Sequence, residues 1–272
     1  MQWIKYSFYL AGMLLLVAGC NDLTGSEEDK RDLLPIKKGI EFSVQETHDQ
    51  SSQTNAPVKP FIQLSMDTKD IYNCMNYRID SKLNSTSSGQ LIDIYGVQDQ
   101  GVCLTALGPA QNEYALDLQP GDYDLTFSHR GNSYNYNLKI TNSSLHITGD
   151  KHSFVSPKTE TFWRYPENSF TYLCSSTDDT RWMCEEFEQM LNDSLDISSF
   201  TFPDYGTKPY PSVGDQYDIA TYYKYPEEPV FQKAGEMLEG YSDSVVSQYE
   251  GAYLSVINWK NQGFRSWTGT GE

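Results

Sequence analysis

Five cysteines and four histidines carry the strongest intrinsic chemistry in this chain, and their spacing excludes most of it. Cys174 and Cys184 are separated by nine residues, too many for the short spacing of a thioredoxin-like redox pair, so a structural bridge is the expectation. His48, His129, His146 and His152 show neither a His-x-x-x-His nor a Cys/His ligand pattern, and no metal site is expected. An EF-hand loop, a Gly-x-Ser-x-Gly elbow and a phosphate-cradling glycine loop are all missing, so the sequence calls for no cofactor.

Carboxylates are plentiful, which makes any one pair uninformative. Glu185, Glu186 and Glu188 fall at i, i+1 and i+3 of a helical pattern. Glycoside hydrolysis needs two acids facing one another across a bond, and this spacing suits a solvated helix face instead. No catalytic residue is assigned.

Cysteine parity singles out Cys20. With Cys74, Cys103, Cys174 and Cys184 free to form two bridges, one thiol is left over. Cys20 ends a stretch in which Lys5 precedes a mostly apolar run over residues 6–19, shorter than the ~20 residues a membrane-spanning helix needs. The run closes with Val17-Ala18-Gly19-Cys20, which resembles the lipobox of bacterial lipoproteins, with Val17 where Leu is commoner. The resemblance covers about the first twenty residues. It implies a signal peptide over residues 1–19, diacylglycerol on the Cys20 thiol, and a chain held to a membrane of the bacterial cell envelope by three acyl chains. Asn21 takes the place where enteric lipoproteins retained at the inner membrane carry Asp, so the same resemblance favours the outer membrane. It leaves open whether the chain faces the periplasm or the outside.

The chain has a formal net charge of −17. A surface this acidic repels nucleic acid and anionic headgroups at long range, and no nucleic-acid partner is expected. Residues 20–60 are poor in aromatics and carry the charge run Glu27-Glu28-Asp29-Lys30-Arg31-Asp32, the texture of a flexible tether with a span of roughly 35 Å. Within it Ile40, Phe42 and Val44 alternate with polar residues, a pattern for a strand that docks onto the domain after it.

Over residues 61–150 the hydrophobic period is two, giving seven or eight short strands and predicting a β-sandwich of immunoglobulin-like type. The turn signals Gln119-Pro120-Gly121-Asp122 and His129-Arg130-Gly131-Asn132 predict two consecutive hairpins. Residues 118–125 resemble the Pro-Gly-x-Tyr-x-Leu hairpin of bacterial immunoglobulin-like and transthyretin-like surface modules. Pairing Cys74 with Cys103 and Cys174 with Cys184 keeps each bridge within one segment; three pairings are open to four cysteines.

Residues 154–272 read as a smaller α+β domain. Met183, Phe187, Met190 and Leu191 mark a first helix capped by Asp178 or Asp179, and Pro229 opens a second that Gly240 closes. Aromatic residues exceed what packing so small a region requires. Trp163, Tyr165, Tyr205, Tyr210, Trp259 and Trp267 are the candidate ligand-binding residues, because exposed rings stack on the apolar faces of sugars or anchor protein partners. The expected function is non-catalytic binding of a glycan or another envelope protein. The alternatives are a glycan or peptide hydrolase with its site in residues 154–272, and a structural subunit of an envelope assembly.

Overall fold

Alternating apolar and polar residues build the first sheet. The computed structural model describes residues 32–48, 58–86, 88–101, 103, 106–150, 152–209 and 217–266. Cys20, Tyr210 and Trp267 lie outside the described residues. The strands β1 (Ile40–Thr47), β2 (Phe61–Tyr72), β3 (Arg78–Ser85), β4 (Gly89–Gln98) and β5 (Gly108–Leu116) are followed by β6 (Gly121–His129), β7 (Asn132–Ile140), β8 (Ser144–Gly149), β9 (Val155–Pro157) and β10 (Thr161–Trp163). They form one ten-stranded sheet in the order β10-β8-β7-β6-β4-β3-β5-β2-β1-β9.

The two ends of that order are neighbours in the chain. Only residues 158–160 separate β9 from β10, and they bond to both sides: Lys158 N donates to Phe42 O at 2.7 Å, and Ile147 N donates to Glu160 O at 2.8 Å. The sheet therefore curls until its ends meet. Phe42 of β1 packs on Phe127 of β6 at 4.5 Å and on Tyr136 of β7 at 5.0 Å, contacts that cross the enclosed core. The mainly β character expected of residues 61–150 is present, and the described strands are hydrogen-bonded as one curled sheet around one core. β1, from the alternating patch of the expected tether, pairs with β2 from Ile40↔Thr68 to Thr47↔Phe61 and buries Ile40, Phe42 and Val44.

Of the two predicted hairpins, one forms. Arg130 (φ 50°) and Gly131 (φ 78°) close the β6–β7 turn, where both central residues need the left-handed region that glycine enters without strain. Residues 119–122 do not make a hairpin. β5 pairs with β2, while β6 runs parallel to β4. The Pro-Gly turn thus carries the chain between non-adjacent strands, because β2 takes one edge of β5 and β3 lies along the other. Ile71 and Met75, read as one strand with Tyr77 and Ile79, are separated: Ile71 is near the end of β2, Met75 lies in the turn before β3, and both are exposed.

The second sheet is antiparallel. It comprises β11 (Ser169–Ser176), β12 (Ser198–Phe200), β13 (Ile219–Lys224), β14 (Ala252–Asn258) and β15 (Gly263–Arg265), in the order β12-β13-β11-β14-β15. Helices α1 (Arg181–Ser194) and α2 (Glu228–Ser244) pack on one face, where Phe170, Tyr172, Tyr223, Leu254 and Val256 meet Met183, Phe187, Leu191, Phe231 and Leu238. This is the α+β region expected. Its helix ends differ from expectation. Thr180 occupies the N-cap of α1 in place of Asp178 or Asp179, its hydroxyl donating to Gly251 O at 2.9 Å and accepting no hydrogen bond from the first turn of the helix. α2 continues past Gly240 to Ser244, because Tyr241 is buried in the core and favours another helical turn.

Both cysteine pairs form as expected. Cys74 is bonded to Cys103, and Cys174 of β11 to Cys184 of α1, which staples the central strand of the second sheet to its covering helix.

Candidate functional site

The elements described all belong to one compact unit, Leu33–Glu272, and the junction of its two sheets is held by polar contacts. Arg164, between β10 and β11, donates from Nε and Nη2 to Glu46 Oε1 at 2.9 and 2.6 Å, and from Nη1 to Thr141 O at 2.5 Å. Just past the same end of β1, His48 Nε2 donates to Trp259 O at 2.9 Å, and Val58 N donates to Lys260 O at 2.9 Å. The turn that receives them is itself braced. Buried Asn258 accepts from Lys260 N and Gln262 N through Oδ1, and Trp259 N donates to Ser169 O at 3.0 Å.

Between these ties lies a cleft of about 410 Å³. The first sheet contributes Glu46, Lys59, Pro60 and the turns at Pro120 and Ser143; residues 164–167, Lys224 and Trp259 close the other side. Prolines and aromatic rings alternate here with amide, hydroxyl and charged groups. Such a surface meets a ligand that is apolar on one face and hydrogen-bonding at its edge.

An aromatic band continues from the cleft across the face of the second sheet opposite the helices. Tyr165, Phe202 and Tyr222 are buried together, with Trp163, Phe200 and Trp259 packed around them. Tyr165 meets Phe202 at 5.7 Å and accepts a hydrogen bond from Thr171 Oγ1 at 2.6 Å, so it is held rigidly in the cleft wall. Trp163 Nε1 donates to Tyr205 O at 2.6 Å and their rings make an edge contact at 5.2 Å, which leaves Tyr205 63% exposed.

Of the six aromatic candidates, four are described, and the fold brings them to this one region. Tyr165 and Trp259 line the cleft, while Trp163 and Tyr205 stand at the other end of the band. Other tyrosines of the same region serve packing: Tyr172, Tyr223 and Tyr225 are in the core beneath the helices. The charged members of the cleft, Glu46, Lys59, Arg164, Glu167 and Lys224, escaped sequence reasoning. Two of them sit in the stretch read as tether, and the alternation of residues 40–44 was the only signal that this stretch joins the fold.

The carboxylates of α1 lie elsewhere and have partners. Tyr241 Oη donates to Glu186 Oε2 at 2.7 Å, Tyr223 Oη donates to Glu188 Oε1 at 3.1 Å, and Glu185 stands 3.7 Å from Arg181. Among the described residues no group of three or more His, Cys, Asp or Glu side chains is placed to hold a metal ion. No protein-family model, curated protein or solved structure matches the chain.

Proposed function

We propose that this chain is a lipid-anchored, non-catalytic binding protein of a bacterial cell envelope, attached through Cys20 to the outer membrane, that holds a glycan between its two sheets. The observation that carries the reading is the cleft at the junction, walled by Trp259, Tyr165 and Pro60 and fringed by Asn142, Ser143 and Gln119. Its volume lies within the range of small-ligand sites, roughly 300–1,000 Å³, and a pyranose has the same division between an apolar face and a polar rim. A binding role is supported over hydrolysis by the state of the acids: Glu46 is committed to Arg164, and Glu167 is the other carboxylate on the cleft. Kinship with immunoglobulin-like or transthyretin-like surface modules belongs to the same proposal and rests on the sequence of residues 118–125 alone, since the turn at Pro120 joins the non-adjacent strands β5 and β6 and closes no hairpin. Lipid attachment rests on Val17-Ala18-Gly19-Cys20.

The test is a glycan array and an envelope pull-down with the full lipid-bearing chain in detergent, beside Trp259→Ala and Tyr205→Ala. Binding lost in Trp259→Ala, with an unchanged melting temperature, supports the cleft. A protein captured equally by all three forms, with no glycan bound, would move the function to another surface. Radiolabelled palmitate incorporated by the wild type and absent from Cys20→Ser is the expected result for the anchor.

A further inference from the structure

The charge balance of the cleft runs against that of the chain. Acids outnumber bases by 37 to 20 overall, yet three of the five charged residues lining the cleft are basic. One base and one acid cancel: Arg164 is engaged by Glu46 through two of its nitrogens and by Thr141 O through the third. Lys59 and Lys224 are left against Glu167. Both lysines are exposed at the rim. The Lys224 ammonium is 5.5 Å from the Phe200 ring centroid, and Lys59 is placed by its neighbour Val58, whose N–H is fixed to Lys260 O. The Lys260 ammonium, 5.0 Å from the Trp259 ring, stands 3.9 Å from Glu228 and is balanced by it, so the excess charge of the cleft rests on Lys59 and Lys224.

From this juxtaposition of two rim lysines with an aromatic wall we infer that the glycan taken by the cleft is acidic, carrying a carboxylate or a sulfate ester that Lys59 and Lys224 hold while the sugar ring lies against Trp259. The inference rests on the glycan reading of the cleft and adds the charge of the ligand. Two electrostatic effects compete. The net charge of −17 repels an anion at a distance, but at physiological salt that field is screened beyond ~8 Å, whereas a lysine in contact with the anion acts inside that range. The contact term wins once the ligand is seated. Exposed ion pairs contribute up to about fivefold each, so two together give at most about twenty-fivefold, and repulsion from Glu167 on the same cleft lowers the expected preference to about tenfold.

The experiment is calorimetric titration of the full chain with matched pairs of oligosaccharides: oligogalacturonate and its methyl ester, hyaluronan and its carboxyl-reduced form, dextran sulfate and dextran. The expected result is that the charged member of at least one pair binds about tenfold more tightly. Lys59→Gln/Lys224→Gln then removes the difference between the charged and neutral members, with the melting temperature of the wild type retained. The carboxylate and sulfate pairs identify which anion is held. Equal binding of charged and neutral members overturns the inference and leaves the glycan reading standing, as does a preference that survives in the double variant. Binding of no saccharide at all, charged or neutral, overturns both.

Discussion

Arg164 and Glu46 lie 118 residues apart and meet through a forked contact, Nη2 to Oε1 at 2.6 Å and Nε to Oε1 at 2.9 Å. Their side chains are 19% and 7% exposed, so the pair is largely withdrawn from water. It joins β1 to the segment linking the two sheets. Removing one partner leaves the other charge in the junction uncompensated, at a cost of roughly 3 kcal/mol, whereas replacing both with apolar residues costs less. Glu46→Ala is therefore expected to be more destabilising than Glu46→Met/Arg164→Met when both are compared by urea unfolding. The reverse order would show that the pair is solvated and does not tie the sheets.

The two disulfides differ in what their loss removes. Cys74–Cys103 closes the longer loop, with a sequence separation of 29 against 10 for Cys174–Cys184, and chain entropy assigns it about 1 kcal/mol more. Packing opposes this ranking. Cys174 and Cys184 are both fully buried between β11 and α1, whereas of the other pair Cys74 is buried and Cys103 is exposed. Truncating two buried sulfurs opens a void costing on the order of 1 kcal/mol for each. Cys174→Ala/Cys184→Ala is thus expected to lower the urea midpoint about as much as Cys74→Ala/Cys103→Ala, despite the shorter loop; a clearly larger loss for Cys74→Ala/Cys103→Ala would show that chain entropy alone decides.

Gly235 sits on the buried side of α2, where a Cβ would lie 2.4–2.6 Å from the Phe264 ring. Alanine gains up to about 1 kcal/mol in helix propensity. The clash outweighs that gain, because Phe264 is backed by Phe231 at 5.5 Å and overpacking costs roughly 1–3 kcal/mol. Gly235→Ala is expected to be destabilising, and Gly235→Ala/Phe264→Leu to recover part of the loss. Differential scanning calorimetry of the two variants checks the sign.

Local patterns were legible in the sequence, and pairings at long range were not. The Arg130-Gly131 turn and the buried stripe of Met183, Phe187 and Leu191 are each set within a few residues, and the structure shows them. The turn at Pro120 looked equally local. Its failure to make a hairpin follows from the pairing of β5 with β2, a choice between strands some fifty residues apart that turn chemistry does not encode. The candidate site divides in the same way. Ring content marked Trp163, Tyr165, Tyr205 and Trp259, but Lys59 and Lys224 reach one cleft only because β2 and β13 belong to sheets that meet there. Chain closure, absent from any window of sequence, assembles the charge.

Alkaline pH should destabilise the second sheet through its buried tyrosines. Tyr172, Tyr223, Tyr225 and Tyr241 all have their phenol pKa raised, chiefly by burial beneath the helices. Nearby carboxylates add to it: Glu188 beside Tyr172 and Tyr223, Glu228 beside Tyr225, Glu186 beside Tyr241. Tyr223 is pushed up to about 12 from an ordinary 10.0. A phenol whose folded pKa exceeds its unfolded value stabilises the fold fully below the unfolded value, and the contribution is lost as pH rises toward the folded one. Stability should therefore hold up to about pH 10 and fall between pH 10 and 12. Tyrosinate absorbance at about 295 nm, followed beside helical circular dichroism, is expected to show these phenols ionising in a cooperative step that coincides with loss of α1 and α2. Glu188→Gln should alter that step, because the carboxylate that disfavours the Tyr172 and Tyr223 phenolates is gone. Smooth ionisation of every tyrosine with the helices intact would mean that these hydroxyls are open to water, and the core contacts of Tyr223 with Glu188 and Tyr241 with Glu186 would have to be abandoned.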